Sequence, residues 1–273
     1  MSDFGFELDL DFETEIQECD VLDVEDITEP KVKLGDIWLL GEHRLMCGDS
    51  CNAVDVAKLM NGAIVDLWLT DPPYNVNYEG QNGMSIQNDN MTDSDFKEFL
   101  NKSFSIAVEY LKHGGAFYIW HADSEGFNFR QAVKSQKDLL LKQCLIWVKN
   151  SLVLGRQDYQ WQHEPCLYGW KAGAKHYFTD SRNETTVIEE NKPQRNDDHP
   201  TMKPINLFAK LISNSSKKGE IVLDTFAGSG TTVLACEQLN RIAYVMELEP
   251  KYCDIIINRW EELTGNRARK LNG

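Results

Sequence analysis

No apolar run in the 273-residue chain approaches the length of a membrane span, and the opening MSDFGFELDL has neither a basic start nor an apolar centre. A cytoplasmic protein is therefore expected, with no membrane partner. The seven cysteines form no CxxC pair and have no histidine at a metal-ligand spacing. Reduced, mostly buried thiols are the expectation, with neither a disulfide framework nor a metal site. Lysine and arginine are missing from positions 1–30, which hold 12 Asp or Glu and so carry −12 of the net charge of −15. Lys31 to Gly273 is near neutral at −3. A near-neutral body can still hold a locally basic groove, so the acidic total does not exclude a polyanionic partner. A hydrophobic content of 42% is enough for one sizeable core.

Residues 1–30 mix acids with Phe, Leu, Ile and Val at neither helical nor strand period, and are expected to form a flexible acidic tail outside the fold. Lys31–Ser50 alternates around Gly35 and Gly41 like a hairpin leading into the core. Short apolar strands then alternate with helical stretches, the pattern of an α/β protein. Strands are expected at 64–70, 116–120, 144–148, 221–224 and 242–248. Helices are expected at 93–112, started by Thr92 or Asp93 and ended by Gly114-Gly115, and at 203–214, 230–239 and 250–263, the last capped by Gly265. Residues 150–198 are polar, aromatic and glycine-containing without a long period, and read as an irregular insertion. The stretch from 142 to 195 is enriched in Lys and Arg. Arg156, Lys171, Lys175 and Arg182 are the candidates there for phosphate or groove contacts.

Two loops at strand ends carry chemistry. The first is Asp71-Pro72-Pro73-Tyr74, directly after the strand IVDLWLT. Ligands of open α/β sheets bind beyond the carboxyl ends of strands, which places Asp71 where a substrate would lie. The prolines hold the backbone extended and poor in donors, leaving the Pro72 carbonyl free to accept. Asp71 and that carbonyl can each take one N–H of a planar base's exocyclic amine while Tyr74 stacks on the ring. Two acceptors pulling on the amine favour the pyramidal nitrogen whose lone pair can attack an electrophile.

The second loop is Asp224-Thr225-Phe226-Ala227-Gly228-Ser229-Gly230-Thr231-Thr232, again between strand and helix. Its glycines allow close approach of a ligand to backbone. Val233 stands where a dinucleotide fingerprint has its third glycine, and no Gly-Lys-Ser/Thr follows, so a polyphosphate ligand is not expected. Glu247 ends the next strand, the position from which α/β enzymes accept ribose hydroxyls.

DPPY at 71–74, HPTMKP at 199–204, FAGSGTT at 226–232 and AYVMELEPKYCDIIINRW at 243–260 together resemble the beta-class DNA amino-methyltransferases, in which the catalytic motif precedes the cofactor motif. The resemblance spans about residue 31 to 264. It implies a Rossmann-like methyltransferase fold with a mostly parallel sheet, S-adenosylmethionine as cofactor, and methyl transfer to N6 of adenine in double-stranded DNA. N4 of cytosine is the alternative target, and an idle cofactor-binding subunit a reading of another class. The catalytic set implied is Asp71, Pro72, Pro73 and Tyr74. Asp224, Phe226, Ala227, Gly228, Ser229 and Gly230 would surround the cofactor's methionine end, with Thr231 and Thr232 near its carboxylate and Glu247 on the ribose. His199, Thr201, Lys203 and Pro204 belong to the segment that closes over the amino-acid portion, where relatives commonly carry Gln at the place of Met202. Gly48-Asp49-Ser50 resembles a short family segment, in which Asp49 either touches the cofactor's adenine or caps the next helix. Target reading is implied for residues 150–198. A second copy, a restriction endonuclease and an upstream ParB-like domain are the protein partners the resemblance leaves open.

Overall fold

The computed structural model describes residues 15–19, 27–77, 89–155, 157–191 and 202–271. Arg156, His199 and Thr201 lie outside them. In chain order the strands are β1 Ile37–Leu40, β2 His43–Cys47, β3 Val65–Thr70, β4 Leu111–Trp120, β5 Leu139–Val153, β6 Trp161–Lys171, β7 Val187–Glu189, β8 Ile221–Asp224, β9 Ile242–Glu247 and β10 Arg269–Leu271. The helices are α1 Ala53–Met60, α2 Asp93–Tyr110, α3 Gly126–Ser135, α4 Ile205–Ser215, α5 Thr231–Gln238 and α6 Pro250–Thr264.

Strands that are apolar on both faces must be covered from both sides, and β3, β4, β8 and β9 meet this at the middle of one sheet ordered β10-β1-β2-β9-β8-β3-β4-β6-β5-β7. Pairing is parallel from β2 through β4 and antiparallel at β1 and β6. Successive residues point to opposite layers. Leu67 and Leu69 join Ile205, Phe208 and Ile256 on one face, while Trp68 meets Phe104 and Phe117 on the other. From β3 the chain moves outward to β4, and from β8 it moves the opposite way to β9. The neighbours β3 and β8 therefore flank a topological switch point, where open α/β sheets hold their ligands.

The expected hairpin is β1–β2, and the expected strands at 221–224 and 242–248 fall within a residue of β8 and β9. Gly265, at φ 71°, closes α6 as expected. Three expectations are corrected. Helix α2 starts at the Thr92 cap but ends at Tyr110, well before Gly114-Gly115. Its end is satisfied by Lys171, whose buried Nζ donates to the carbonyls of Val108 at 2.7 Å and Leu111 at 2.8 Å. Lys171 is thus a helix cap and no candidate for DNA.

Second, the described part of 150–198 is not irregular throughout, because β6 lies inside the sheet between β4 and β5. Trp161–Glu164 overhang the end of β4 and only the following residues are buried, so β6 lacks the alternation of an ordinary strand. Lys175 is exposed away from the catalytic loop. Its backbone packs against Gly114, near the amino end of β4, whereas Asp71 follows the carboxyl end of β3. Arg182 is exposed in the loop before β7, near the Glu184–Lys210 ion pair to α4.

Third, residues 15–19 are part of the fold. Gln17 exchanges hydrogen bonds with Gln238, and Ile16 and Cys19 pack against the core. The Glu18 carboxylate accepts from the amides of Ile205 and Asn206 at 2.8 and 3.2 Å. An acid at a helix start satisfies amides that have no partner within the helix, and this one overrides the apparent shapelessness of the segment.

Replacing Lys171 by Met removes a buried donor from two carbonyls, of which Val108 keeps the Leu111 amide. Urea unfolding is expected to show a loss of about 1–3 kcal/mol.

Candidate active site

Parallel β3 and β8 send their following loops out side by side. The loops are joined beneath the site by buried Thr70, whose hydroxyl donates to Asp224 Oδ1 at 3.1 Å. Asp224 also accepts from the Phe226 amide at 3.1 Å and from Thr232 Oγ1 at 2.6 Å. Burial lifts its pKa to about 6 against these bonds. Asp224 and Thr232 therefore brace the glycine loop from below. Thr231 Oγ1 donates to the carbonyl of Lys203 at 3.2 Å, linking that loop to the segment ahead of α4. These two hydroxyls, expected near a ligand carboxylate, bond protein groups here.

The glycine loop needs its glycines for two different reasons. At Gly230, φ is +88° and a Cβ would lie 2.8 Å from Ile256, so close packing and backbone both exclude a side chain. Gly228, at φ +51°, faces open space instead. Its amide donates to Glu247 Oε2 at 2.9 Å, and the Glu249 amide donates to Oε1 at 2.9 Å. Burial raises the Glu247 carboxyl to about 7 despite those amides. Ala227 is buried, with its amide on the Met246 carbonyl, and Phe226 packs edge-on against Phe99. Ser229 accepts from Arg259 through both its carbonyl and its hydroxyl, and Arg259 also reaches the Cys19 carbonyl. Asp49 comes to the same edge through the β2–β9 pairing, with the Gly48 amide on the Glu247 carbonyl. The Asp49 side chain accepts from the Cys51 amide, but Asn52 is the residue that caps α1.

In the other loop Pro72 is buried, and Asn75 fixes the chain by exchanging bonds with the backbone of Met91. Tyr74 Oη donates to Asp71 Oδ1 at 2.5 Å. Lys203, expected in the segment that closes over the cofactor's amino-acid portion, turns its ammonium to this loop. Its ammonium has three N–H groups and three acceptors: Asp71 Oδ2 at 2.6 Å, Tyr74 Oη at 3.0 Å and Glu164 Oε2 at 3.0 Å. Glu164, on β6, also pairs with Lys149 of β5 and lies 3.3 Å from Tyr74 Oη. Pro204 follows Lys203 as the N-terminal cap residue of α4.

Two carboxylates and two ammonium groups thus balance in a site where each side chain is at most 22% exposed. Burial pushes Asp71 up, and Lys203 opposes it. Burial also acts to raise Glu164, but Lys203 and Lys149 together bring its carboxyl down to about 2. For Lys203, burial works against the charge and the two carboxylates prevail, raising its pKa. Glu164 was not foreseen, and Lys149 stood out only as one base of the stretch from 142 to 195. A lone Glu before a proline and a Lys in a strand have no distinguishing mark until β5 and β6 are brought beside β4.

A family model for DNA methylases, N6_N4_Mtase, matches residues 65–258. The chain belongs to that family. As a DNA methylase it resembles the type II methyltransferase M.HpaI of Haemophilus parainfluenzae, with 25% identity over 241 residues, 80% of this chain and 74% of the relative. It is also 25% identical to the DNA adenine methyltransferase YhdJ of Escherichia coli over 253 residues, 81% of this chain and 84% of that one. Among solved structures, the M1.HpyAVI–SAM complex superposes with a TM-score of 0.60 at 25% identity, covering 79% of this chain and 98% of the other. This methylase uses S-adenosylmethionine. The open space at Gly228 and the carboxylate of Glu247 at the switch point suit a nucleoside with a small charged tail. Among the described residues no helix is long and apolar enough to cross a membrane.

Removing one member of a buried ion cluster leaves the others uncompensated. Lys203→Met is expected to cost about 3–5 kcal/mol at pH 8. Burial already raises the Asp71 carboxyl with Lys203 opposing it, so without the lysine its folded-state pKa stands further above the unfolded one. The folded state then holds more protons, so the deficit relative to wild type should shrink as pH falls toward 5. Denaturant titrations at the two pH values check both points.

Proposed function

We propose that the protein is a site-specific methyltransferase for N6 of adenine in double-stranded DNA. The observation that carries this is the adjacency of the Asp71–Tyr74 loop and the glycine loop on neighbouring parallel strands, tied through Thr70 and Asp224. The adenine assignment draws on the aspartate at position 71 together with the likeness to YhdJ. A target base leaves the duplex at a cost of a few kcal/mol and stacks beside Tyr74. Its amino group donates to Asp71 and to the Pro72 carbonyl. Each carboxylate oxygen has two lone-pair directions, so the amine can approach Asp71 while Tyr74 and Lys203 are still bonded to it.

S-adenosylmethionine, when bound, supplies the electrophilic methyl group. Gly228, Ser229 and Gly230 would hold its methionine end and Glu247 its ribose, with Asp49 beside the adenine. Lys203 keeps Asp71 ionised before transfer, and burial raises its proton affinity so that it can receive the proton the amine loses. Positioning and electrostatics provide most of the acceleration.

The β5–β6 hairpin runs past the site on the same edge and presents exposed Leu152, Leu154, Tyr159 and Trp161. With Gln157 and Gln162 it has the aromatic and amide groups that reading of bases requires. Arg156 and Arg182 remain candidates for phosphates.

Tritium transfer from labelled cofactor to unmethylated genomic DNA, followed by nucleoside analysis, tests the assignment. N6-methyladenine supports it, N4-methylcytosine replaces the target, and no label rejects the reading. Asp71→Ala should lower transfer by roughly 10²–10⁴-fold and leave cofactor affinity intact by calorimetry. Because Glu247 accepts best when ionised, cofactor affinity should weaken as pH falls through about 7, by up to roughly tenfold between pH 8 and pH 6. Glu247→Gln should flatten that dependence.

A further inference from the structure

Among the described residues, both donors bonded to the Asp71 carboxylate also lie within reach of a second carboxylate. Tyr74 Oη is 2.5 Å from Asp71 and 3.3 Å from Glu164, and Lys203 Nζ is 2.6 Å from Asp71 and 3.0 Å from Glu164. Glu164 comes from an element unrelated to either motif loop. It stands two residues before Cys166, the partner in register of Trp120 at the end of β4, and so projects over the catalytic edge of the sheet. It is held there by Lys149, whose side chain is only 6% exposed. An acceptor fixed this way offers Tyr74 and Lys203 somewhere to lean when a new donor approaches Asp71.

We propose that Glu164 is a positioning residue for methyl transfer, the alternative acceptor that draws Lys203 and Tyr74 off Asp71 as the target amine enters. This rests on the reading of Asp71 as the amine's acceptor. Glu164 itself does not touch the reacting atoms. It sets how much of Asp71 is free, and Lys149 keeps it in place. Without the Glu164 charge, Lys203 would bind Asp71 alone, leaving the carboxylate easier to ionise but less available to a substrate. The titratable groups facing Asp71 are Lys203 ahead of α4, Glu164 and Cys166 on β6, Tyr74 in its own loop and Asp224 at the end of β8. Of these, Glu164 and Lys203 make direct charge contacts with each other and balance at the site.

The test compares Glu164→Gln with the charge-balanced double variant Lys149→Gln/Glu164→Gln in the full chain. Three quantities are read: single-turnover methylation of unmethylated genomic DNA, cofactor affinity and thermal unfolding. Glu164→Gln should slow single-turnover transfer by on the order of tenfold or more with cofactor affinity unchanged. The acidic limb of its pH–rate profile should move to lower pH, since a nearby negative charge has been removed from Asp71. The double variant should regain thermal stability without regaining the rate. If it regains both, or if Glu164→Gln transfers at the wild-type rate with an unmoved acidic limb, Glu164 only balances charge and the proposal is overturned. Failure of the underlying reading is separate, because it would appear as wild-type protein that labels no DNA or as an active Asp71→Ala variant.

Discussion

Parallel pairing of β3 with β8 is the constraint on which the site depends. Leu67 opposite Val222 and Trp68 opposite Leu223 fix the level at which both strands stop, and the loops that follow emerge side by side. Hydrogen bonds of a sheet cannot slip by one residue without turning every side chain to the wrong layer. Because both layers here are apolar and filled, the register is held from two sides. Thr70 and Asp224 then convert strand register into loop register through one buried hydrogen bond.

Upon that frame the two loops are built by opposite means. The glycine loop is shaped by backbone: positive φ at two glycines, amides turned onto Glu247, and a carboxylate beneath accepting from Phe226 and Thr232. The Asp71 loop is shaped by side chains and charge. Its aspartate, tyrosine and attendant lysine form a closed set with Glu164, in which every N–H of the ammonium has an acceptor. Lys203 joins the two halves, since its carbonyl is held by Thr231 while its ammonium reaches Asp71.

Much of this was legible in the sequence where the cause is local. An apolar run followed by Asp-Pro-Pro-Tyr, and another followed by a glycine turn, state both strand and loop within ten residues. Gly41 and Gly265 likewise punctuate the chain where left-handed backbone is required. What escaped was determined at long range. Lys171 looks like a surface base until the end of α2 is laid against it, some 60 residues away in sequence. The β6 strand looks irregular because its first residues overhang the neighbouring strand. Glu18 reads as one acid among many, yet it meets the amides of a helix start. Helices α1 and α3 were missed for a milder reason, their short length giving the helical period little room to repeat.

The balanced charge of the Asp71 cluster has a consequence for how the protein senses ionic strength. Mobile ions weaken attractions between groups that water surrounds, and they have little access to Lys149 and Lys203, at 6% and 5% exposure. Added salt should therefore leave the chemistry of the pocket almost untouched while loosening the hold on a phosphate backbone. The slope of methylation against salt concentration would then count nucleic-acid contacts, free of any contribution from the site where the methyl group moves.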